Sequence, residues 1–222
     1  MKRILVAALI LVVPAPGARA GSFTFEAGSS VPAGSFAEPT ASAFEDKGAE
    51  SSFAFGLKYA RPLVVVDLVS EISYVQFGER YQGPPEALQP PDAVERQDYT
   101  HTFIPATVGF RRSMLRALPV SPYLGAAIGL YAYVTQGNAL VLETSGTGSY
   151  IEESFTAVIR PGINFSGGVV FDVPFSFDLA AEAKYHMMVF QGVGDDRADR
   201  EYPYAIDVDS LNFWTLTVGL VF

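Results

Sequence analysis

The sequence predicts an all-β fold, an eight-stranded antiparallel up-and-down transmembrane β-barrel, and three observations predict it. Apolar and polar residues alternate with a period of two in eight separate segments. Short and long connections alternate between these segments. After Val13, no apolar run is long enough for a membrane-spanning helix. Since lipid offers no hydrogen-bond partner to an open sheet edge, strands cross a membrane only as a closed barrel.

Residues 1–20 have the features of a secretory signal peptide. Lys2 and Arg3 precede an apolar run, Ile4 to Val13, and Ala18-Arg19-Ala20 fits the small-x-small cleavage pattern. A short membrane anchor is the weaker alternative, because ten apolar residues are too few to span a bilayer as a helix. Cleavage after Ala20 leaves residues 21–222 as one exported barrel domain.

Charge and cysteine content exclude several classes of protein. The whole chain has 15 basic and 24 acidic residues, and three of the basic ones lie in the signal peptide, which leaves a mature net charge of −12. A chain this acidic does not bind nucleic acid through its phosphates. Without cysteine, the chain is neither a lipoprotein nor a disulfide-stabilised domain.

The last strand, from Asn212 to the C-terminus, shows the alternation most clearly. One face is apolar throughout and is expected to contact lipid: Trp214, Leu216, Val218, Leu220 and Phe222. Phe213, Thr215, Thr217 and Gly219 share the other face. An ordered aromatic last residue is unusual for a soluble domain, whose ends are generally frayed.

The other seven strands follow the same pattern. Their lipid-facing positions include Phe23, Phe25, Phe53, Phe55, Leu57, Leu68, Ile72, Ile104, Val108, Leu124, Ile128, Ile159, Phe165, Leu179 and Tyr185. Prolines lack the N–H that a ladder needs, so we expect a bulge or local unpairing at Pro105 and at Pro161. The phase is interrupted at Gly167-Gly168.

The connections divide into two groups. Three are short, around Arg61-Pro62, Arg116–Val120 and Asp172–Pro174. Four are expected to be long polar loops, at Ala33–Glu50, Gly78–Gln97, Thr135–Glu153 and Gln191–Val208. The loops are rich in acidic residues, which indicates a solvated surface. Cation bridging to lipid headgroups is a weaker interpretation.

The opposite face of the strands is expected to line the lumen. The ionisable residues on that face carry both signs of charge: Glu26, Lys58, Asp67, Glu71, Arg111, Arg160, Asp178, Glu182, Lys184 and His186. We expect them to form ion pairs that plug the lumen, since eight strands enclose a space that side chains can fill. A narrow ion path is the alternative.

No catalytic, cofactor-binding or metal site is predicted. A lipid-cleaving barrel needs histidine, serine and an acid on its lipid-facing surface, but His101 and His186 both have the inward phase. Asp195, Arg197 and Asp199 lack the glycine and closing glutamate of a calcium loop. A soluble lipocalin-like barrel is the remaining alternative, and it would place large apolar residues inside. Here we expect a lumen lined mainly by small, charged or hydroxylic residues.

The stretches FTFEAGSSVPAGSF (Phe23–Phe36) and SPYLGAAIGLYAYV (Ser121–Val134), with the terminal Phe222, resemble small outer-membrane barrels of the OmpA transmembrane domain and OmpX type. The resemblance implies a monomer in the outer membrane of a Gram-negative-type cell, with loops outside and turns in the periplasm. It also implies contact with lipid or lipopolysaccharide, and recognition of the Phe222 strand by the barrel-assembly machinery.

The function that follows from this resemblance is broad. We expect a non-enzymatic protein without a cofactor that stabilises the outer membrane or presents surface loops to a partner. A narrow porin-like channel and a lipid A-modifying enzyme are alternatives. Aromatic residues should mark the rims: Tyr74, Tyr99, Tyr185 and Trp214 outside, and Tyr59 and Phe222 on the periplasmic side.

Overall fold

The computed structural model describes residues 21–33, 49–82, 92–114, 119–143, 149–188 and 211–222. The signal peptide and the calcium-loop candidates Asp195, Arg197 and Asp199 lie outside these ranges, so cleavage after Ala20 stays a prediction. Within the described part of the chain, no helix has the length and hydropathy of a membrane span.

Eight antiparallel strands form a closed barrel, as the sequence predicts. Their bounds are β1 Ser22–Ala33, β2 Ser52–Pro62, β3 Asp67–Gln82, β4 Asp92–Ser113, β5 Val120–Glu143, β6 Ser149–Phe171, β7 Asp178–Met188 and β8 Asn212–Val221. Each strand pairs with the next, and β8 pairs with β1. A two-residue segment, Ala49–Glu50, precedes β2 and pairs with β3.

The two chain ends of the barrel meet at one rim. The Phe222 N–H donates to the Phe23 carbonyl at 2.8 Å, and the Phe23 N–H donates to the Phe222 carbonyl at 3.0 Å. At this same rim β2, β4 and β6 end and β3, β5 and β7 begin, and we call it the turn end. The opposite rim, where β1, β3, β5 and β7 end, is the loop end.

The apolar face of the barrel points outward and the polar face points inward. Phe55 and Leu216 are 51% and 49% exposed, and Leu179 is also exposed. By contrast, Lys58, Glu182 and Lys184 are buried inside the ring of strands. This arrangement is the reverse of a soluble barrel, which excludes the lipocalin-like alternative.

The predicted loop bounds are wrong at two connections. β3 continues to Gln82 and β4 begins at Asp92, inside the expected Gly78–Gln97 loop. β5 continues to Glu143 and β6 begins at Ser149, inside the expected Thr135–Glu153 loop. Strands that extend beyond the apolar band meet water on both faces, so the alternation that identifies membrane strands is lost there.

The two prolines have different outcomes. The β3–β4 ladder is interrupted between the pairs Ile72–Ala106 and Val75–Phe103, so Pro105 is locally unpaired on that side, as expected. Pro161 keeps its register with Leu130 of β5, and no bulge forms there. The described pairing of β6 with β7 runs from Gly162 to Phe171 and does not include Pro161.

Candidate functional site

Five ionisable side chains form a buried cluster in the lumen, near the turn end. Glu26, Lys58, Glu71 and Glu182 each lie four residues from the turn end of their strands, so alternation directs all four into the lumen at one level. Lys184 lies two residues further along β7. The cluster joins strands β1, β2, β3 and β7 across the barrel.

Each ammonium group of this cluster contacts more than one carboxylate. Lys58 Nζ donates to Glu26 Oε2 at 2.5 Å and to Glu182 Oε1 at 2.6 Å. Lys184 Nζ pairs with Glu71 and lies 3.1 Å from Glu182 Oε1. Two lysines thus bind three glutamates, and this geometry satisfies charges that would be costly to bury alone.

The three glutamates also have the spacing of a cation site. Their carboxylate oxygens, from Glu26, Glu71 and Glu182, lie within 4.8 Å of one another. However, the Lys58 and Lys184 ammonium groups already lie between these oxygens and supply the positive charge that a metal ion would bring. We therefore describe this group as an ion-pair cluster.

A second ion pair lies closer to the turn end. Arg111 Nη2 donates to Asp67 Oδ2 at 3.2 Å, and the Arg111 guanidinium lies 5.0 Å from the centre of the Tyr123 ring. The Tyr123 hydroxyl in turn donates to Glu182 Oε2 at 2.8 Å. Tyr123 therefore links the Asp67–Arg111 pair to the ion-pair cluster.

Glycines on β6 make room for Tyr123 and Tyr131, two of the lumen tyrosines of β5. A Cβ atom on Gly168 would lie 2.5 Å from the Tyr123 hydroxyl oxygen, and one on Gly162 would lie 2.7 Å from Tyr131 Cε2. Each tyrosine ring therefore packs directly on the backbone of a glycine in the neighbouring strand, in the space that a larger side chain would occupy. The interruption of phase at Gly167-Gly168 thus has a packing reason.

An aromatic layer fills the lumen on the loop side of the ion-pair cluster. Its centre is Phe77, Phe103 and Phe213, from β3, β4 and β8, all fully buried. Their ring centroids are 4.9–5.8 Å apart, the spacing of packed aromatic pairs. Tyr133 stacks on Phe103 at 4.8 Å. Alternation gives Phe103 and Phe213 the inward phase, but the sequence does not predict that they form a layer.

Both histidines belong to the aromatic layer. His186 stacks on Phe213 at 4.5 Å and has its two ring nitrogens 3.1 Å from the Tyr131 hydroxyl and 3.2 Å from Thr215 Oγ1. His101 Nδ1 lies 2.8 Å from the Tyr133 hydroxyl. Both imidazoles face the lumen as predicted, so neither lies on the lipid-facing surface where a lipid-cleaving site would need it.

A small polar cavity remains beside the ion-pair cluster. Its volume is about 30 Å³, and Glu71, Lys184 and Asn164 are among the residues that line it. Asn164 is buried, and its Nδ2 has no hydrogen-bond partner among the described protein atoms. A polar cavity of this volume holds about two water molecules, one of which would accept from Asn164.

The predicted lumen residues are largely confirmed in position. Eight of them are placed in the contacts described above: Glu26, Lys58, Asp67, Glu71, Arg111, Glu182, Lys184 and His186. Arg160 and Asp178 have the inward phase and are half-buried. The expectation of a lumen lined mainly by small, charged or hydroxylic residues is wrong in the loop half, where large aromatic rings replace them.

Aromatic residues mark both rims of the apolar surface. Towards the loop end, the ring centroids of Trp214 and Tyr185 are 4.8 Å apart, and those of the stacked Tyr74 and Phe55 are 5.0 Å apart. Tyr59 packs on Phe23 at 4.9 Å at the turn end. Phe222 lies 6.1 Å from Phe25. These positions follow the prediction for five residues, and the side chain of Tyr99 lies outside the described residues.

The fold is similar to those of several solved small barrels. Neisserial surface protein A is 14% identical with a TM-score of 0.49, and the match covers 92% of this chain and 97% of that one. Ail of Yersinia pestis is 14% identical with a TM-score of 0.40, covering 92% and 100%. The outer membrane protein OprG from Pseudomonas aeruginosa is 12% identical with a TM-score of 0.41, covering 93% and 98%.

These neighbours are the kind of protein that the sequence resembles. At such low identities and TM-scores, the fold assignment rests on the strand pairing of this chain rather than on the likeness. No family model matches the sequence, and no curated protein matches it.

Proposed function

We propose that the protein is an integral, non-enzymatic outer-membrane barrel that presents a protruding β-sheet to a partner outside the cell. The observation that carries this proposal is the unequal length of the strands. β7 and β8 have 11 and 10 residues, which suits a membrane crossing, whereas β4, β5 and β6 have 22 to 24.

At the loop end, the described parts of β4, β5 and β6 extend beyond the described parts of β7 and β8. Beyond Gly162, where its described pairing with β7 ends, β6 continues to pair with β5 as far as Leu142–Ser149. This pairing extends over 12 residue steps of β5, from Leu130, which pairs with Pro161, to Leu142, which pairs with Ser149. This stretch is about 40 Å long at about 3.3 Å per residue. A hydrogen-bonded sheet of that reach is a surface on which a macromolecule can dock.

The filled lumen favours this role over a channel. The ion-pair cluster and the aromatic layer occupy successive levels of the barrel, and the cavity beside them has a volume of only about 30 Å³. An eight-stranded barrel packed in this way has no continuous water path. The inward direction of His101 and His186 likewise argues against a lipid A-modifying enzyme.

The partners within the envelope are also proposals. Lipid or lipopolysaccharide would cover the apolar exterior, and the protein would act as a monomer. The barrel-assembly machinery would recognise β8, because Phe222 lies at its end and takes part in the last backbone pair that closes the barrel.

The proposal is tested by removing the protrusion and keeping the barrel. Residues 138–153 are replaced by Asn-Gly, which forms a two-residue hairpin between the paired residues Gly137 and Ser154. Cells with equal surface amounts of either chain are compared for adhesion to immobilised extracellular macromolecules and for resistance to bile salts. We expect the trimmed chain to lose adhesion and to keep the membrane barrier.

The opposite pattern would contradict a presenting role. If adhesion is unchanged by trimming and only deletion of the whole protein weakens the barrier, the barrel acts by stabilising the membrane. Orientation is checked separately with Gln136→Cys, an exposed position at the base of the protrusion. A membrane-impermeant maleimide should label this variant on intact cells.

A further inference from the structure

The turn end of the barrel exposes apolar side chains where a water-facing turn would carry polar ones. In the β2–β3 turn, Val64 is 97% exposed, and Leu63 and Val65 are exposed beside it. In the β6–β7 turn, Phe175 is 71% exposed. Met114, at the start of the β4–β5 turn, is exposed as well. Apolar surface of this extent marks contact with a partner.

We propose that these turns are immersed in the phospholipid leaflet at the turn end, so that the barrel's membrane-contacting surface includes its turns. The inference rests on the proposed membrane location and goes beyond it, because it assigns the turns to lipid rather than to the periplasm. These turns contact phospholipid at the boundary between the acyl chains and the headgroups.

On β2, the apolar band of the strand alone is short. On β2, the outward apolar residues run from Phe53 to Tyr59, which is six residue steps. At about 3.3 Å per residue and a tilt of about 40°, this run is about 15 Å high. A membrane barrel needs an apolar band about 25 Å tall.

The turn supplies the missing height. From Phe53 to Pro62, where β2 ends, is nine residue steps, or a height of about 23 Å on the same basis, and the turn residues Leu63 and Val64 extend the apolar surface beyond that point. On β8, two strands away from β2, the run from Trp214 to Phe222 is eight steps, or about 20 Å. There Phe177 and Phe175 continue the apolar surface beyond Phe222. The ring centroids of Phe222 and Phe177 are 6.2 Å apart, and those of Phe177 and Phe175 are 5.6 Å apart.

The exposed apolar residues are distributed around the rim. The β2–β3 and β6–β7 turns lie on opposite sides of an eight-stranded barrel. A single docked protein would need one contiguous patch, whereas a lipid leaflet surrounds the barrel and meets both turns at once. The arrangement therefore fits lipid better than a protein partner.

Arginine side chains lie beside the apolar turns. Arg61, on the outward face of β2, is half-buried beside the valine turn, and Arg112, on the outward face of β4, is exposed near Met114. Their long side chains can pack their stems along apolar surface and extend the guanidinium groups to lipid phosphates. This combination of apolar anchors and arginines suits an anionic phospholipid surface.

The test uses the absence of cysteine in the chain, which makes an introduced thiol the only labelling site. Val64→Cys and Phe175→Cys are labelled with a nitroxide and reconstituted in phosphatidylethanolamine–phosphatidylglycerol vesicles. Leu216→Cys, on the lipid-facing surface, and Glu50→Cys, exposed at the loop end, are the matched controls. Heat-modified gel mobility confirms that each variant is folded.

Accessibility of each label is measured by power saturation with oxygen, which concentrates in lipid, and with a water-soluble nickel chelate on both sides of the membrane. We expect an oxygen-to-nickel ratio at positions 64 and 175 several-fold above that of Glu50→Cys. A nickel accessibility equal to that of Glu50→Cys would overturn the inference. Protection from both reagents would also overturn it, because it indicates contact with a second copy of the chain.

The Leu216→Cys control separates this inference from the function on which it rests. If its label is shielded from nickel while positions 64 and 175 are open to it, only the immersion of the turns is wrong. If the Leu216→Cys label is itself open to nickel, the barrel does not span the membrane as described, and both conclusions fail.

Discussion

The rings of Phe103 and Phe213 lie 4.9 Å apart at their centroids, although they come from β4 and β8, which stand opposite each other in the barrel. The two side chains therefore meet across the full width of the lumen. Phe77 closes the same level from β3, 5.4 Å from Phe213. A contact of this kind favours a plugged lumen over a pore.

The first prediction concerns conductance. Because aromatic rings and ion pairs close the lumen at successive levels, the purified protein should produce no discrete current steps in a planar lipid bilayer. A general porin inserted under the same conditions is the positive control. Reproducible unitary conductance from the native chain would show that the plug opens, and would support the channel alternative.

The second prediction concerns the aromatic layer. Phe103→Ala should lower the free energy of unfolding in vesicles by about 3–5 kcal/mol, because the cavity it leaves in the lumen cannot be filled by lipid. Phe110→Ala, on the same strand but 57% exposed on the outer surface, is the control, and it should cost less because lipid chains fill the gap. Equal losses in urea titrations would contradict a packed lumen.

The third prediction concerns the ion-pair cluster. Lys58→Met removes the ammonium group that binds both Glu26 and Glu182 and leaves their carboxylates with too little positive charge. We expect a loss of about 3–5 kcal/mol in unfolding free energy, as for other broken buried ion pairs. The double variant Lys58→Met/Glu182→Gln should recover part of it, since one uncompensated charge is removed. Additive losses would mean that the two residues are not coupled.

The fourth prediction uses two glycines on β6. A Cβ atom on Gly162 would lie 2.7 Å from the Tyr131 ring, whereas one on Gly167, on the outer face, would have its nearest neighbour at 3.4 Å. Gly162→Ala should therefore destabilise the barrel by about 1–3 kcal/mol through overpacking. Gly167→Ala should have little effect. If both substitutions are neutral in a thermal or urea melt, Tyr131 is not held against this strand.

The direction of each membrane strand residue was predictable because one physical rule governs it. A residue that faces lipid must be apolar, and one that faces the lumen is free to be polar, so the order Phe55, Gly56, Leu57, Lys58 already gives the orientation of β2. The positions of the lumen ions followed from the same alternation.

Alternation does not predict which charged side chains pair across the barrel, or which residues fill the lumen. The partners of Lys58 come from β1 and β7, and no local pattern reports such distant contacts. Phe103 and Phe213 have the inward phase, but a large apolar residue on that face looks like a departure from the rule until both strands are placed opposite each other. The strand ends at Gln82 and Glu143 were missed because alternation ends where both faces meet water.

The central claim, that the apolar face of a closed barrel contacts lipid, is tested most directly by Trp214, the only tryptophan in the chain. Its fluorescence is measured in vesicles with bromine on the acyl chains and, separately, with aqueous iodide. Strong quenching by the brominated lipid and little quenching by iodide is the result we expect. Quenching by iodide without quenching by brominated lipid would contradict the claim.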